Sequence, residues 1–295
     1  MKVADKKNNF LALDKKYSTI DQSKAVILPL IYTEQKKSKS NVLKAAKEII
    51  KSSAKLEAYD EEMGGELCFE MGICTLEALN LQKLSYNKAI EKLEKEISSL
   101  IEANKLVALI GGCHSASFGA LKAFQKKYDS LSILHIDSRA NMKQDWQTKS
   151  PHASLIARIA EINSQITQVG IRSQSKEENE FRIEKQIHQF LACEIKLGMY
   201  GDDWQELVNR NLSDYVYITV DLSAFDPSVI NSVESPEPGG LLWDEIMYLF
   251  KIIGQDRTIV GFDIMGLVPK TSDTSSSYFT AKLIYKLFNY ALSKN

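Results

Sequence analysis

The stretch ILHIDSRANMK, residues 133–143, opens as an apolar run and ends on Asp137, after which Ser138, Arg139, Ala140 and Asn141 stand where the chain leaves that run. A short run that does not alternate apolar with polar residues reads as a strand buried on both faces. That reading decides the fold, because strands of this kind belong to parallel sheets whose crossovers are helices.

The pattern continues on both sides. SKAVILPLIY (23–32), KLVALIGG (105–112), ITQVGI (166–171), YVYITVD (215–221) and TIVGFDIM (258–265) read as further strands, with one more expected near CEIKL (193–197). Apolar positions at helical spacing predict helices over 41–57, with Asn41 as N-cap, and over 84–105, 117–128, 153–162, 175–192, 202–211, 241–253 and 276–292. The regular alternation implies an α/β protein with a largely parallel sheet covered on both faces. No linker, composition break or internal repeat divides residues 1–295, so the chain reads as one domain, with residues 1–9 read as a loose N-terminal tail. VESPEPGG (233–240) is a loop, since its prolines cannot join a central strand.

Composition narrows the function. The 295 residues are 44% hydrophobic and 25% charged with a formal net charge of −1, so no overall field recruits nucleic acid or an anionic membrane. No apolar run approaches the roughly 18 residues of a membrane span, and MKVADKKNNF lacks the apolar core of a leader. Cys68, Cys74, Cys113 and Cys193 form no CxxC and read as reduced thiols. A soluble cytoplasmic protein is expected.

Ligand sites of open parallel sheets lie beyond the carboxyl ends of the strands. Four strands here run out at Cys113-His114, Asp137, Asp221 and Gly266, so one histidine and two aspartates are expected to converge on a cleft. Three such nitrogen and oxygen donors suit a divalent ion such as manganese. A lone strand-end aspartate is more often a helix cap or a loop acceptor than a ligand. Packing or solvent contact accounts for His135, inside its strand, and for His188, on the helix 175–192. GGCH has neither the GxGxxG spacing nor the lysine of a phosphate loop.

Seven blocks, GGCHSASFG, LHIDSRANM, SPHASLIARI, QVGIRSQSKEENEF, VYITVDLSAFDPSV, SPEPGG and VGFDIMGLVP, follow one another in the order and spacing of the ureohydrolases, the arginases and agmatinases. The chain resembles the agmatinase branch in particular, from about Phe10 to its end. The resemblance implies an arginase-like fold: a three-layer α/β/α sandwich with a mainly parallel eight-stranded sheet. It also implies two manganese ions sharing a bridging hydroxide, held by a GGDH histidine, the polar residues of a DAHxD turn and two aspartates of an SxDxD strand end. Carried over by position, His114, Asp137 and Asp221 are retained as residual ligands. Asn141, a weak neutral ligand, replaces the last aspartate of the turn, Arg139 its histidine, and Ser223 the second strand-end aspartate. Gly266 stands where a glutamate would receive the substrate guanidinium, and His152 matches a proton-shuttling histidine.

These substitutions point to an eroded centre. A guanidinium has five donors, no acceptor and a permanent charge, and cannot coordinate a cation. Four clustered carboxylates repel by about 4 kcal/mol per close pair at an effective dielectric near 20, whereas two beside an arginine do not demand an ion. The favoured expectation is therefore a non-catalytic or much altered homologue with no cofactor, in which the Arg139 guanidinium fills the second ion position and bridges Asp137 and Asp221; the other reading of Arg139 is that it points to solvent beside a worn site. The alternative is a hydrolase of a guanidino or amidine C–N bond, releasing urea and using one manganese or other divalent ion on His114, Asp137 and Asp221. Expected partners are a small guanidino or amine compound and, by resemblance, further copies in a trimer or hexamer, or an active paralogue; neither nucleic acid nor membrane is expected.

Overall fold

The structure, a computed structural model, describes residues 1–33, 39–111, 113–144, 154–270 and 273–293. Its strands are β1 (Ala25–Ile31), β2 (Ile73–Thr75), β3 (Leu79–Asn80), β4 (Leu106–Ile110), β5 (Leu131–Ile136), β6 (Ile166–Ile171), β7 (His188–Leu191), β8 (Tyr215–Asp221) and β9 (Thr258–Met265). All pair in parallel in the order β2-β1-β4-β9-β8-β5-β6-β7, and the two-residue β3 pairs with β1 beyond the end of β2. The sheet thus has nine strands, the eight expected plus this short addition. Pro29 lies level with the break between β2, whose last partner is Ile27, and β3, whose first is Leu30. A proline with no N–H to give is tolerated at such a break, although β1 is not an edge strand.

The helices are α1 (Lys39–Ser53), α2 (Leu67–Met71), α3 (Tyr86–Glu102), α4 (Ser117–Lys127), α5 (Leu155–Ile159), α6 (Lys176–Glu184), α7 (Ala192–Lys196), α8 (Trp204–Arg210), α9 (Trp243–Asp256) and α10 (Ser275–Leu292). Strand side chains alternate between two cores. Ile27, Ala108, Ile110, Ile218 and Ile264 pack with Ile49 of α1, Phe250 of α9 and Phe288 of α10. Val26, Leu28, Val107, Leu109 and Tyr217 pack with Leu93 and Ile97 of α3 and Phe124 of α4. This is the three-layer arrangement expected, and each fully buried Leu, Ile or Phe contributes about 1.5–3 kcal/mol.

Four local expectations are corrected. Residues 175–192 do not form one helix: α6 ends at Glu184, Gln186 takes a positive φ of 56°, and Ile187 N donates to Arg182 O, which caps the helix. The chain then enters β7 with His188 on it, and CEIKL falls in α7 rather than in a strand. Asn41 lies inside α1, not at its cap. The amino-terminal residues are tied down rather than loose: Ala4 N donates to Thr75 O, Glu77 N to Lys2 O, and Thr75 N to the buried Asn9 Oδ1.

Candidate functional site

β4, β9, β8 and β5 are consecutive in the sheet, so the polar residues at their carboxyl ends are forced into one neighbourhood. β4 leads to His114, which opens a 3-10 turn; β5 leads to Asp137, β8 ends on Asp221, and β9 is followed by Gly266. His114 Nδ1 stands 3.5 Å from Asp137 Oδ2 and 3.6 Å from Asp221 Oδ2. These atoms border a cleft of about 520 Å³, the size of a small-molecule site.

The tautomer of His114 follows from its other nitrogen. Nε2 lies 2.7 Å from Thr219 Oγ1, and the Thr219 hydroxyl donates to Asp263 Oδ1 at 2.8 Å, so it accepts from Nε2–H. In the neutral ring Nδ1 then carries a lone pair. It is buried, has no hydrogen-bond partner, and faces two carboxylate oxygens that are acceptors as well. Two ligand atoms each about 2.1 Å from a shared ion, at angles between octahedral and tetrahedral, stand about 3.0–3.5 Å apart. The two spacings from Nδ1 fit a divalent ion shared by His114 with either aspartate. A proton on Nδ1 is the competing occupant: burial works against the charged ring, but Asp137, Asp263 and Asp221 more than offset it and push His114 up to about 9. Burial and then the charge of Asp137 push Asp221 up to about 6. Burial opposes ionisation of Asp137 too, yet His114 and His135 hold its carboxyl far below the usual range.

His135 was expected only to pack, and the structure gives it more. Together with His114 and Asp137 it presents ligand atoms within 4.8 Å of one another. Its own hydrogen bonds nevertheless occupy both nitrogens. The Gln168 amide nitrogen, fixed as the donor by its second bond to Ala140 O, donates to Nδ1 at 3.0 Å, leaving Nε2–H to donate to Asp137 Oδ2 at 3.2 Å. His135 therefore orients Asp137, as groups behind metal ligands do, and Asp221 is the better third donor. Asp263, with Tyr217 OH at 2.9 Å and the Thr219 hydroxyl on its oxygens, plays the same part behind His114. Sequence reasoning passed over both; the signal for Asp263 was a carboxylate inside an apolar strand, which demands partners.

The substituted positions differ from expectation. Arg139 does not bridge the aspartates: it is exposed on the cleft wall, and its guanidinium makes no hydrogen bond or ion pair among the described residues. The reason is local. Its backbone N–H already donates to Asp137 Oδ1 at 3.0 Å, and residue 139 pairs with Ser173 in a parallel bridge, which turns the side chain outward. Smaller donors take the inner space. Ser223 Oγ donates to Asp137 Oδ1 at 3.1 Å and lies 2.9 Å from Ser138 Oγ, while Asn141 Nδ2 donates to Asp137 Oδ2 at 2.7 Å. Asp137 Oδ1 is thus ringed by donors, an environment that repels a second cation. Gly266 has a φ of +90°, and a Cβ there would sit 2.6 Å from Asp221 Oδ1. His152 lies outside the described residues.

Arg172 fixes the far wall. Its guanidinium donates to the carbonyls of Ser223, Ala224, Glu237 and Pro238, fastening the turn after β8 to the 233–240 loop.

Comparison with known proteins accords with this geometry. The sequence model described as "Arginase family" matches residues 23–289. N(1)-aminopropylagmatine ureohydrolase of Synechocystis sp. is 29% identical over 90% of this chain and 88% of its own length. Agmatinase of Bacillus cereus is 26% identical over 86% of this chain and 87% of its own. The crystal structure of the agmatine ureohydrolase of Thermoplasma volcanium superposes with a TM-score of 0.81 at 24% identity, covering 94% of this chain and 92% of that one, a likeness of fold. The expectation of no cofactor is overturned by these findings. Proteins of the matched family are metal-dependent, and the buried group of His114, His135 and Asp137 could hold a metal ion here.

Proposed function

We propose, from the premise that the chain belongs to the arginase family, that it is a ureohydrolase homologue with a one-cation centre, on His114, Asp137 and Asp221, much altered in activity. The observation that carries this reading is the unpartnered, buried Nδ1 of His114, held by its tautomer as a third acceptor beside two carboxylates. A divalent ion there would supply Lewis acidity and a lowered pKa for water. The chain's own residues do the rest: Thr219 and Asp263 aim His114, His135 and Asn141 hold Asp137, and Ser223 N–H fixes Asp221 Oδ1 at 2.9 Å. With Arg139 and Ser223 in place of two ligands, and Gly266 in place of the guanidinium acceptor, a second cation and the substrate clamp are both missing. Losing one preorganised charge at a reacting centre costs about 10²–10³ in rate.

The ligand read from the cleft's size and from the relatives' names is a small guanidino compound, and the assembly is a homo-oligomer. Among the described residues no helix is long and apolar enough to cross a membrane. Urea release from agmatine by manganese-loaded protein is the test. A rate at least about a hundredfold below that of a two-ion agmatinase assayed alongside is expected; an equal rate would overturn the reading.

A further inference from the structure

Arg172 is the first residue after β6, and in the sheet order β5 lies between β6 and β8. Its backbone belongs to the Asp137 side of the cleft. Arg172 N and Ser173 N donate to Ser138 O at 2.8 and 3.0 Å, and Ala140 N donates to Ser173 O at 3.2 Å. Its side chain belongs to the Asp221 side. Nη2 donates to Ser223 O at 2.9 Å and Glu237 O at 2.6 Å, Nη1 to Ala224 O at 3.1 Å, and Nε to Pro238 O at 3.0 Å. Longer bonds run from Nη1 to Gly170 O at 3.3 Å and from Nη2 to Phe225 O at 3.4 Å. The residue thus reaches across the end of β5, the strand that leads to Asp137, and grips the turn that follows Asp221. With acceptors on three consecutive residues, 223 to 225, that turn has little freedom to rotate.

We infer that Arg172 is the positioning residue of Asp221: it fixes the Asp221 turn against the Asp137 turn, and so sets the separation of the two carboxylates. The inference rests on the one-cation reading for the ion and goes beyond it in naming the group that spaces the ligands. All six acceptors are main-chain carbonyls, so Arg172 acts on the aspartates through the backbone. A guanidinium suits this task because its five N–H groups form a rigid planar fork, whereas a lysine carries three on a flexible stem. Position and charge make opposite predictions. Arg172 and Asp137 attract each other, and a fixed positive charge close to a cation site repels the ion. Acting by charge alone, Arg172→Gln would tighten manganese binding and Arg172→Lys would leave it unchanged. Acting by position, both substitutions weaken it.

Manganese dissociation constants are measured by titration calorimetry on the full chain, beside amide hydrogen exchange by mass spectrometry on the metal-free chain. Both variants should bind manganese at least about tenfold more weakly than wild type. Exchange should quicken in 222–226 and 237–241, while β4 and β9 keep their wild-type protection. Equal or tighter manganese binding in either variant would overturn the inference. So would exchange in 222–226 that stays at the wild-type rate, or exchange that quickens across β4 and β9 as well, the mark of a merely structural role. Should Arg172→Gln fail to fold, Arg172→Lys carries the same two readings. A wild-type chain that binds no manganese would overturn the one-cation reading instead, and the exchange of 222–226 then decides the positioning role by itself.

Discussion

At the scale of single residues the site is a chain of hydrogen bonds that decides which atoms remain acceptors. Asp263 accepts a hydrogen bond from the Thr219 hydroxyl, Thr219 accepts one from His114 Nε2–H, and Nδ1 is left without a partner toward Asp137 and Asp221. Thr219→Val breaks the chain without touching a donor atom, so manganese affinity should fall about 10–100-fold by titration, with the fold intact. Gly266→Glu, which would restore the family's residue, should not restore its role. The backbone is held at φ +90° and the new Cβ would press on Asp221, so a loss of about 1–3 kcal/mol in chemical denaturation is expected, with no gain in agmatine binding. The convergence of His114, Asp137 and Asp221 was legible in the sequence because each stands at or just beyond the carboxyl end of an apolar strand. The direction of Arg139 was not, because its outward turn depends on a pairing with Ser173, far away in the chain. His135 was misjudged for a related reason: a polar residue inside a strand reveals a function only when its partners, here Gln168 from β6, are known.

At the scale of elements, α10 is held to the 60–62 segment by a buried ionic cluster far from the cleft. Lys286 Nζ donates to Asp60 Oδ1 at 2.9 Å and pairs with Glu62 Oε1 at 2.7 Å, and Asn289 donates to Asp60 Oδ2 at 2.6 Å. Asp60 and Lys286 are each 2% exposed, so removing one partner strands a buried charge. Lys286→Met should therefore cost about 3 kcal/mol or more in urea unfolding at neutral pH. Burial pushes the Asp60 and Glu62 carboxyls up, but the hydrogen bonds and charge of Lys286, with Asn289 on Asp60 and Tyr290 on Glu62, hold both below their ordinary values. Their stabilisation is present above the unfolded-state pKa and lost as pH falls through the depressed folded-state values. The gap between wild type and variant should accordingly narrow below about pH 4; a constant gap would contradict the assignment. The elements themselves were read well where hydrophobic period and turn residues agreed, as in β4, β8, α3 and α10. The end of α6 was missed because the left-handed residue that stops it is Gln186, not glycine. β2 and β3, three and two residues long, carry too little pattern to be seen.

At the scale of the molecule, the sheet order brings four strand ends together although they are distant in sequence, and the cation site is a product of that topology. If the turns keep the shape needed for two ions, then Arg139→His, Asn141→Asp and Ser223→Asp together should bring a second manganese. Asn141 already holds a φ of 53°, which aspartate also tolerates, so the backbone does not forbid the change. Unaltered metal content in a folded triple variant would locate the loss in the turns themselves. The most direct test concerns the wild-type chain: manganese bound per chain after loading and removal of excess, by elemental analysis. One ion is expected, lost on His114→Ala. Two ions per chain, or none, would contradict it.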